Sequence, residues 1–198
     1  MSSTGSRRGQ TALAVAALFS SAAAARTHRV SPSEAALFRR FNQGPDAAHV
    51  PIWAVMQSGS LGAVLVLSLG LHRRHRPIAA TTTLITGVGV WGGVKLVKPL
   101  VGRGRPQRHL DAVTVRGPAQ TGLGYPSGHA AVSLVLALTA TRDSLGPIRA
   151  AALAAAAATG GARMYVGAHL PLDVVGGFAV GVLCGQAADT IEAALVAR

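Results

Sequence analysis

The run VPIWAVMQSGSLGAVLVLSLGL, Val50 to Leu71, carries no charged residue and stops at the basic cluster His72-Arg-Arg-His-Arg76. A bilayer core of about 30 Å asks for about 20 apolar residues in a helix, so this run is the clearest membrane span in the chain. Outward from it, Pro77 to Val97 reads as the next span, interrupted by Gly87, Gly89, Gly92 and Gly93 and leaving through Lys95 and Lys98. A shorter run, His129 to Thr141, extends a start at Ser127. Ile148 to Ala162 is nearly all alanine, and Leu172 to Ile191 holds Asp173 and Asp189 near its two ends. On the N-terminal side, Gln10 to Ala25 lies behind Arg7 and Arg8, a pattern shared by signal peptides and first transmembrane helices. Between that run and Val50, residues 29–49 mix Glu34, Arg39, Arg40 and Asp46 with Ala35, Leu37, Phe38 and Phe41, as a short interfacial helix does.

Composition agrees with this layout. The 198 residues include 19 Lys and Arg against 7 Asp and Glu, for a net charge of +12, yet only 13% are charged and 49% are hydrophobic. Soluble domains carry about 25% charge, and a disordered basic tail lacks apolar sequence to bury. The expected protein is therefore an all-α, polytopic membrane protein with six transmembrane helices. It forms one domain over 1–198, with residues 1–9 as an N-terminal tail. Basic excess alone would suit nucleic acid, but membrane-length runs argue against such a partner. Cys184 is the lone cysteine and lies in an apolar run; it supplies no zinc cluster, and no metal or other cofactor is expected. Six spans place both termini on one side with Arg7, Arg8, residues 72–76, Arg142 and Arg149, which the positive-inside rule makes cytoplasmic. The Arg-rich segments 26–40 and 98–116 then face outward, and residues 98–128 form the longest outward loop.

Three polar groups stand out from the apolar background: Lys98-Pro-Leu-Val-Gly-Arg-Gly-Arg105-Pro106, Tyr125-Pro-Ser-Gly-His129, and Arg163-Met-Tyr-Val-Gly-Ala-His169-Leu-Pro-Leu-Asp173. The six-span layout brings all three to the outer ends of the last four helices. Pro126 turns the chain away from helix, Ser127 suits an N-cap, and Gly128 permits close approach of a ligand. Free amides at a helix start attract an anion, which His129 in the first turn would face. His169 and Asp173 are four residues apart around a helix start at Pro171. A carboxylate bonded to one imidazole nitrogen fixes the tautomer and leaves the other nitrogen free as nucleophile or base. The plainer readings are a capping serine beside a boundary histidine, and a His–Asp pair that only anchors the loop. Lys98, Arg105 and Arg163 would repel one another unless an anion of high charge density joined them, and guanidinium forks match phosphate oxygens. Arg103, Arg108 and Arg116 read as loop-solvating or headgroup-facing charges. Together the groups suffice for metal-free phosphoryl transfer: attack by His169, proton transfer by His129, and charge stabilisation by the cations, the Ser127 hydroxyl and local amides.

In this order the motifs Lys-x6-Arg-Pro, Pro-Ser-Gly-His and Arg-x5-His-x3-Asp resemble those of the type 2 phosphatidic acid phosphatase (PAP2) superfamily, in its membrane lipid phosphatase branch. The resemblance implies a PAP2-like helical core, with His169 as nucleophile, Asp173 as its partner and His129 as general acid. Lys98, Arg105, Ser127, Gly128 and Arg163 take the positions of its phosphate-binding residues. It also implies that the first apolar segment stays in the protein. The third motif of the family opens Ser-Arg, whereas this chain has Ala162-Arg163. The missing hydroxyl implies weaker or shifted phosphate binding. The expected substrate is a membrane lipid phosphate or diphosphate, with polyprenyl (undecaprenyl) diphosphate favoured over phosphatidic acid, phosphatidylglycerophosphate or a phosphorylated sugar on polyprenol. The expected setting is the bacterial plasma membrane, with the site facing outward. A non-catalytic lipid-phosphate binding or transport protein is the alternative from another class.

Overall fold

The computed structural model describes residues 3–118 and 120–197, and every regular element among them is helical. Helix α1 spans Ser3–Arg26, α2 Pro32–Asn42, α3 His49–Met56, α4 Leu61–Arg73, α5 Pro77–Val101, α6 Gly128–Ala140, α7 Gly146–Tyr165 and α8 Pro171–Val196. Their starts follow local chemistry. The Ser31, Ser60 and Ser127 side chains accept from the amides of Glu34, Ala63 and Ala130, while Pro32, Pro77 and Pro171 sit where a helix has no use for an N–H. Gly102, at φ 74°, ends α5 in the left-handed conformation that glycine tolerates.

The run from Val50 to Leu71, expected as one continuous span, is broken. A 3-10 turn at Gln57–Gly59 separates α3 from α4, and the two directions differ by 63°. The polar insert explains the break: Ser60 caps α4 through the Ala63 amide at 3.2 Å, and Ser58 bonds to Thr159 of α7 at 2.7 Å. The expected short helix between the first apolar run and Val50 forms as α2. α2 packs on α7 and α8 and buries Glu34, Ala35, Phe38 and Asn42, a single face at helical spacing.

Helix α6 sits at the centre, against α8, α7, α5 and α4. Its Ala131, Val132, Val135 and Leu136 form the largest core cluster with Val64 of α4 and Val90 and Val94 of α5. At 13 residues it is short, and none of its residues is exposed. Glycines let α8 approach it closely: a Cβ at Gly177 would lie 2.4 Å from the Ser127 carbonyl oxygen, and one at Gly181 2.9 Å from that of Ala131.

α5 and α8 are long and apolar enough to cross a membrane, and α3 with α4 makes a third, bent stretch. α1 and α7, at 24 and 20 residues, also have the length, but alanine, glycine and polar residues dilute their hydropathy. The first apolar segment forms part of the helical body. α1 packs along α8, Thr11 donates to Gln186 at 2.5 Å, and the Tyr125 hydroxyl donates to the Leu18 carbonyl at 3.1 Å. At the end of the bundle away from Tyr125, Arg142 pairs with Asp189 and, at 2.8 Å, with Glu192, while Arg76 pairs with Asp143.

Candidate active site

The three polar motifs meet at one end of the bundle. Lys98 lies in the last turn of α5, Ser127 to His129 begin α6, Arg163 lies in the last turn of α7, and Asp173 in the first turn of α8. Arg105 and His169 come from the adjoining loops. Backbone bonds hold the ends together: the Ser127 amide donates to the Asp173 carbonyl at 2.8 Å, and the His169 amide to the Arg163 carbonyl at 3.2 Å.

His169 is buried, and its two ring nitrogens have different neighbours. Arg105 Nη1 lies 3.0 Å from Nε2 and 2.8 Å from the Ala168 carbonyl oxygen. A guanidinium only donates, so Nε2 accepts and the ring proton resides on Nδ1. Nδ1 faces Asp173 Oδ2 at 3.4 Å, long for a direct hydrogen bond, so the carboxylate orients the ring mainly by charge. The same Oδ2 accepts from the Leu170 amide at 2.9 Å, which fixes the carboxylate within the α8 start. Burial, followed by the charges of Arg163, Arg105 and Lys98 and by His129, pushes the His169 pKa well below the ordinary 6.5. The ring is neutral at pH 7, the form a nucleophile needs.

Lys98 serves the loop directly. Its Nζ donates to the carbonyls of Leu123, Gly124 and Pro126 at 3.0, 2.9 and 3.0 Å, using all three of its protons. It therefore offers the site charge and a fixed loop. Gly124 is needed there because a Cβ would lie 2.7 Å from Asp173 Oδ2 and 2.9 Å from the Gly104 oxygen. The Arg163 side chain is buried; its Nη1 meets the Met56 sulfur at 3.0 Å, and its Nε has no partner. Arg105 Nε is likewise buried and unpartnered. Gly128 packs α6 on α5, since a Cβ there would lie 3.2 Å from Val94.

Sequence alone missed a second tier. Arg103, expected to be a solvated loop charge, is fully buried. Its Nη1 and Nη2 donate to the two carboxylate oxygens of Glu34 at 2.9 and 2.8 Å, and Nη1 lies 3.5 Å from Asp173 Oδ1. Glu34 Oε1 also accepts from the Leu172 amide at 3.1 Å, which ties α2 to the start of α8. Arg116 is structural too. It bonds the carbonyls of Asn42, Gly44 and Tyr165 at 2.7, 2.8 and 2.9 Å, stacks 4.2 Å from the Tyr165 ring, and fastens the long loop to α2. Arg108 is exposed, as its composition suggested. Among these groups, Lys98, Arg103, Arg105 and Arg163 face only Asp173 and Glu34, leaving an excess of two positive charges in a largely buried volume.

Ala162, where a serine was expected, packs in an apolar cluster with Met56, Tyr165, Val166 and Ala168. A serine hydroxyl at this position would sit among those apolar side chains, next to Arg163 in the chain. The Ala162→Ser variant should leave KM and kcat for a lipid phosphate within about twofold of the parent, as expected of a small buried change away from the reacting atoms. Steady-state phosphate release checks this; a gain of tenfold in kcat/KM would place the hydroxyl back in the site.

Residues 77–193 match the PAP2 superfamily. The chain belongs to this superfamily. A decaprenylphosphoryl-5-phosphoribose phosphatase of Mycobacterium tuberculosis is 32% identical over 136 residues, which cover 67% of this chain and 71% of the relative. The crystal structure of the transmembrane PAP2-type phosphatidylglycerolphosphate phosphatase from Bacillus subtilis superposes with a TM-score of 0.76 at 19% identity, over 93% of this chain and 96% of that one. Aquifex aeolicus LpxE superposes with a TM-score of 0.70 at 24% identity, over 78% and 93% of the respective chains. At such identities the two structures speak to the fold, and the likeness to the Bacillus subtilis structure, over 93% of this chain, reaches beyond the matched family region. This PAP2 protein is a phosphatase, a hydrolase of the membrane type.

Proposed function

We propose that the chain hydrolyses a lipid phosphate or diphosphate through a phospho-histidine intermediate, using no metal. The observation that carries this reading is the buried excess of two positive charges around a neutral His169, which matches a phosphate dianion and a nucleophile for it. Arg105 moves from Nε2 onto the phosphate, and Nε2 attacks phosphorus in line. The P–O bond to the lipid breaks as His129 gives its proton to the leaving oxygen. Lys98, Arg105 and Arg163, with the Ser127 hydroxyl and the amides of Gly128 and His129, hold the charge that builds on the equatorial oxygens. Asp173 stabilises the charge that appears on the His169 ring. Water then attacks the intermediate, His129 takes its proton, and the P–N bond breaks to free phosphate.

Six membrane spans, α1, α3 with α4, α5, α6, α7 and α8, complete the reading, in one domain over 1–198. The alternation of short corners puts every motif at one end of the bundle. At the other end lie residues 72–76, Arg142 and Arg149, which the positive-inside rule sets in the cytoplasm, so both termini are cytoplasmic and the site opens outward from a bacterial plasma membrane. A polyprenol-based substrate is favoured, either polyprenyl diphosphate or a phosphorylated sugar on polyprenyl phosphate. The relative from Mycobacterium tuberculosis, named for a decaprenyl-carried phosphosugar, supports the latter.

The test is phosphate release by purified protein in detergent with EDTA. Undecaprenyl diphosphate, a polyprenylphosphoryl phosphoribose, phosphatidic acid and phosphatidylglycerophosphate are offered in parallel. Release from the first two at the highest kcat/KM is expected, and headgroup binding with no release from any lipid would favour a binding or transport role. The pH dependence is also set. Because His169 titrates below 6.5, it stays a competent nucleophile as the pH falls through that value. The acid limb of kcat/KM should therefore lie below pH 6.5; a limb above it would mean the ring is protonated at neutrality.

A further inference from the structure

The corner that breaks the Val50–Leu71 run lies against the site. α3 and α4 meet there at 63° through the 3-10 turn Gln57–Gly59, which packs on both α6 and α7. Gly59 is buried against the first turn of α6. A Cβ there would lie 2.3 Å from the His129 carbonyl oxygen and 2.9 Å from its carbonyl carbon and Cα. Those are backbone atoms of a helix, so they cannot swing aside as a flexible side chain would. Only a residue without a Cβ lets the corner and the head of α6 touch.

Three residues earlier, Met56 meets another group of the site. Its sulfur accepts from Arg163 Nη1 at 3.0 Å, and its side chain packs with Ala162, Tyr165 and Val166 at the end of α7. Arg163 is 4% exposed, its Nε has no partner, and no carboxylate pairs with it among the described residues. A thioether is a weak, uncharged acceptor, so it directs the guanidinium and leaves its full charge for an anion. A carboxylate in its place would take up that charge. Between the two contacts Ser58 bonds Thr159 of α7 at 2.7 Å, and just beyond them Ser60 caps α4, so the corner is pinned on both sides.

We propose that the Met56–Gly59 corner is a positioning element for phosphoryl transfer: Gly59 sets the height of His129, and Met56 aims Arg163 at the phosphate. This rests on the roles given above to His129 and Arg163 and adds what holds the two in register. Neither Met56 nor Gly59 acts on the substrate itself; each acts through a group that does. Gly59→Ala forces the corner and α6 apart, and a misplacement of about 1 Å at a reacting group costs up to about a hundredfold in rate.

Gly59→Ala should lower kcat/KM for phosphatidic acid, whose alkoxide leaves only with a proton, at least about tenfold more than kcat/KM for 4-nitrophenyl phosphate, whose phenolate leaves unaided. This constant covers the steps up to P–O cleavage, and a smaller folded fraction lowers both values alike. The ratio of the two therefore reads the position of His129 and not stability. A ratio within about twofold of the parent's overturns the proposal. In a His129→Ala background the same substitution should move the ratio no further, because its effect passes through that side chain; a further, additive loss sinks the proposal. Met56→Leu keeps the volume and removes the acceptor. Inorganic phosphate titrated calorimetrically into this variant in detergent should bind about fivefold more weakly than to the parent. Unchanged affinity overturns the proposal even where Gly59→Ala fails to fold. If His129→Ala itself leaves the ratio of the two esters unchanged, the general-acid reading fails, while the phosphate affinity of Met56→Leu still decides the role of the corner.

Discussion

The His169→Ala variant is expected to lower kcat for lipid phosphate hydrolysis by at least about 10⁴-fold, as loss of a covalent nucleophile does in other enzymes. Lys98, Arg105 and Arg163 remain, so binding of the lipid phosphate should survive. Parent enzyme quenched in base during turnover of a ³²P-labelled lipid should carry acid-labile phosphate, and the variant none. Residual activity above about a hundredth of the parent's, against this expected loss, would remove His169 from the covalent step. His129→Ala should behave differently. General acid catalysis contributes about 10²–10⁴-fold, and the need for it falls as the leaving group improves. A diphosphate, which releases a phosphate ester, should therefore suffer less from His129→Ala than a monoester that releases an alkoxide.

The second large effect concerns a residue far less conspicuous in the chain. Arg103→Met leaves Glu34 buried and uncompensated and takes the nearby positive charge from Asp173. Breaking such a buried pair from one side costs about 3–5 kcal/mol, whereas exchanging both partners for apolar residues costs far less. Thermal unfolding in detergent should show Arg103→Met and Glu34→Met each strongly destabilised, and the double variant Arg103→Met, Glu34→Met closer to the parent than either. Simple additivity of the two single effects would mean that the 2.8 Å pair carries no coupling. Because the Glu34 carboxylate also holds the Leu172 amide at the entrance to α8, activity should fall with stability in both single variants.

What could be read from the chain divides along physical lines. Helix starts at Ser127 and Pro171 were legible because capping serines and first-turn prolines act locally. The clustering of Lys98, Arg105, Ser127, His129, Arg163, His169 and Asp173 was legible because alternating helices bring distant motifs to one depth. Arg103 was not: beside Arg105 and Arg108 it differs only in burial, which depends on Glu34 nearly seventy positions away. Glu34 itself carried a signal in Ser31-Pro-Ser-Glu34, a helix start, but nothing local says that its carboxylate turns inward. The break between α3 and α4 was visible as Gln57-Ser-Gly-Ser60 and was outweighed by the apolar residues on either side. Ala162 stands out in the chain only by likeness to a motif, whereas its packing against Met56 of α3 depends on a residue more than a hundred positions away.

The packing of α1 along α8 brings the first and last helices of the chain together. In biosynthetic terms this is a contact of large sequence separation, made only after α8 has been synthesised. Asp173 stands at the head of that final segment, and Tyr125, hydrogen-bonded to Leu18, ties the loop before His129 to the first. Nascent chains therefore carry Lys98, Arg105, His129 and Arg163 into the membrane before Asp173, and the cluster of candidate site residues assembles only after α8 has joined the helices made before it.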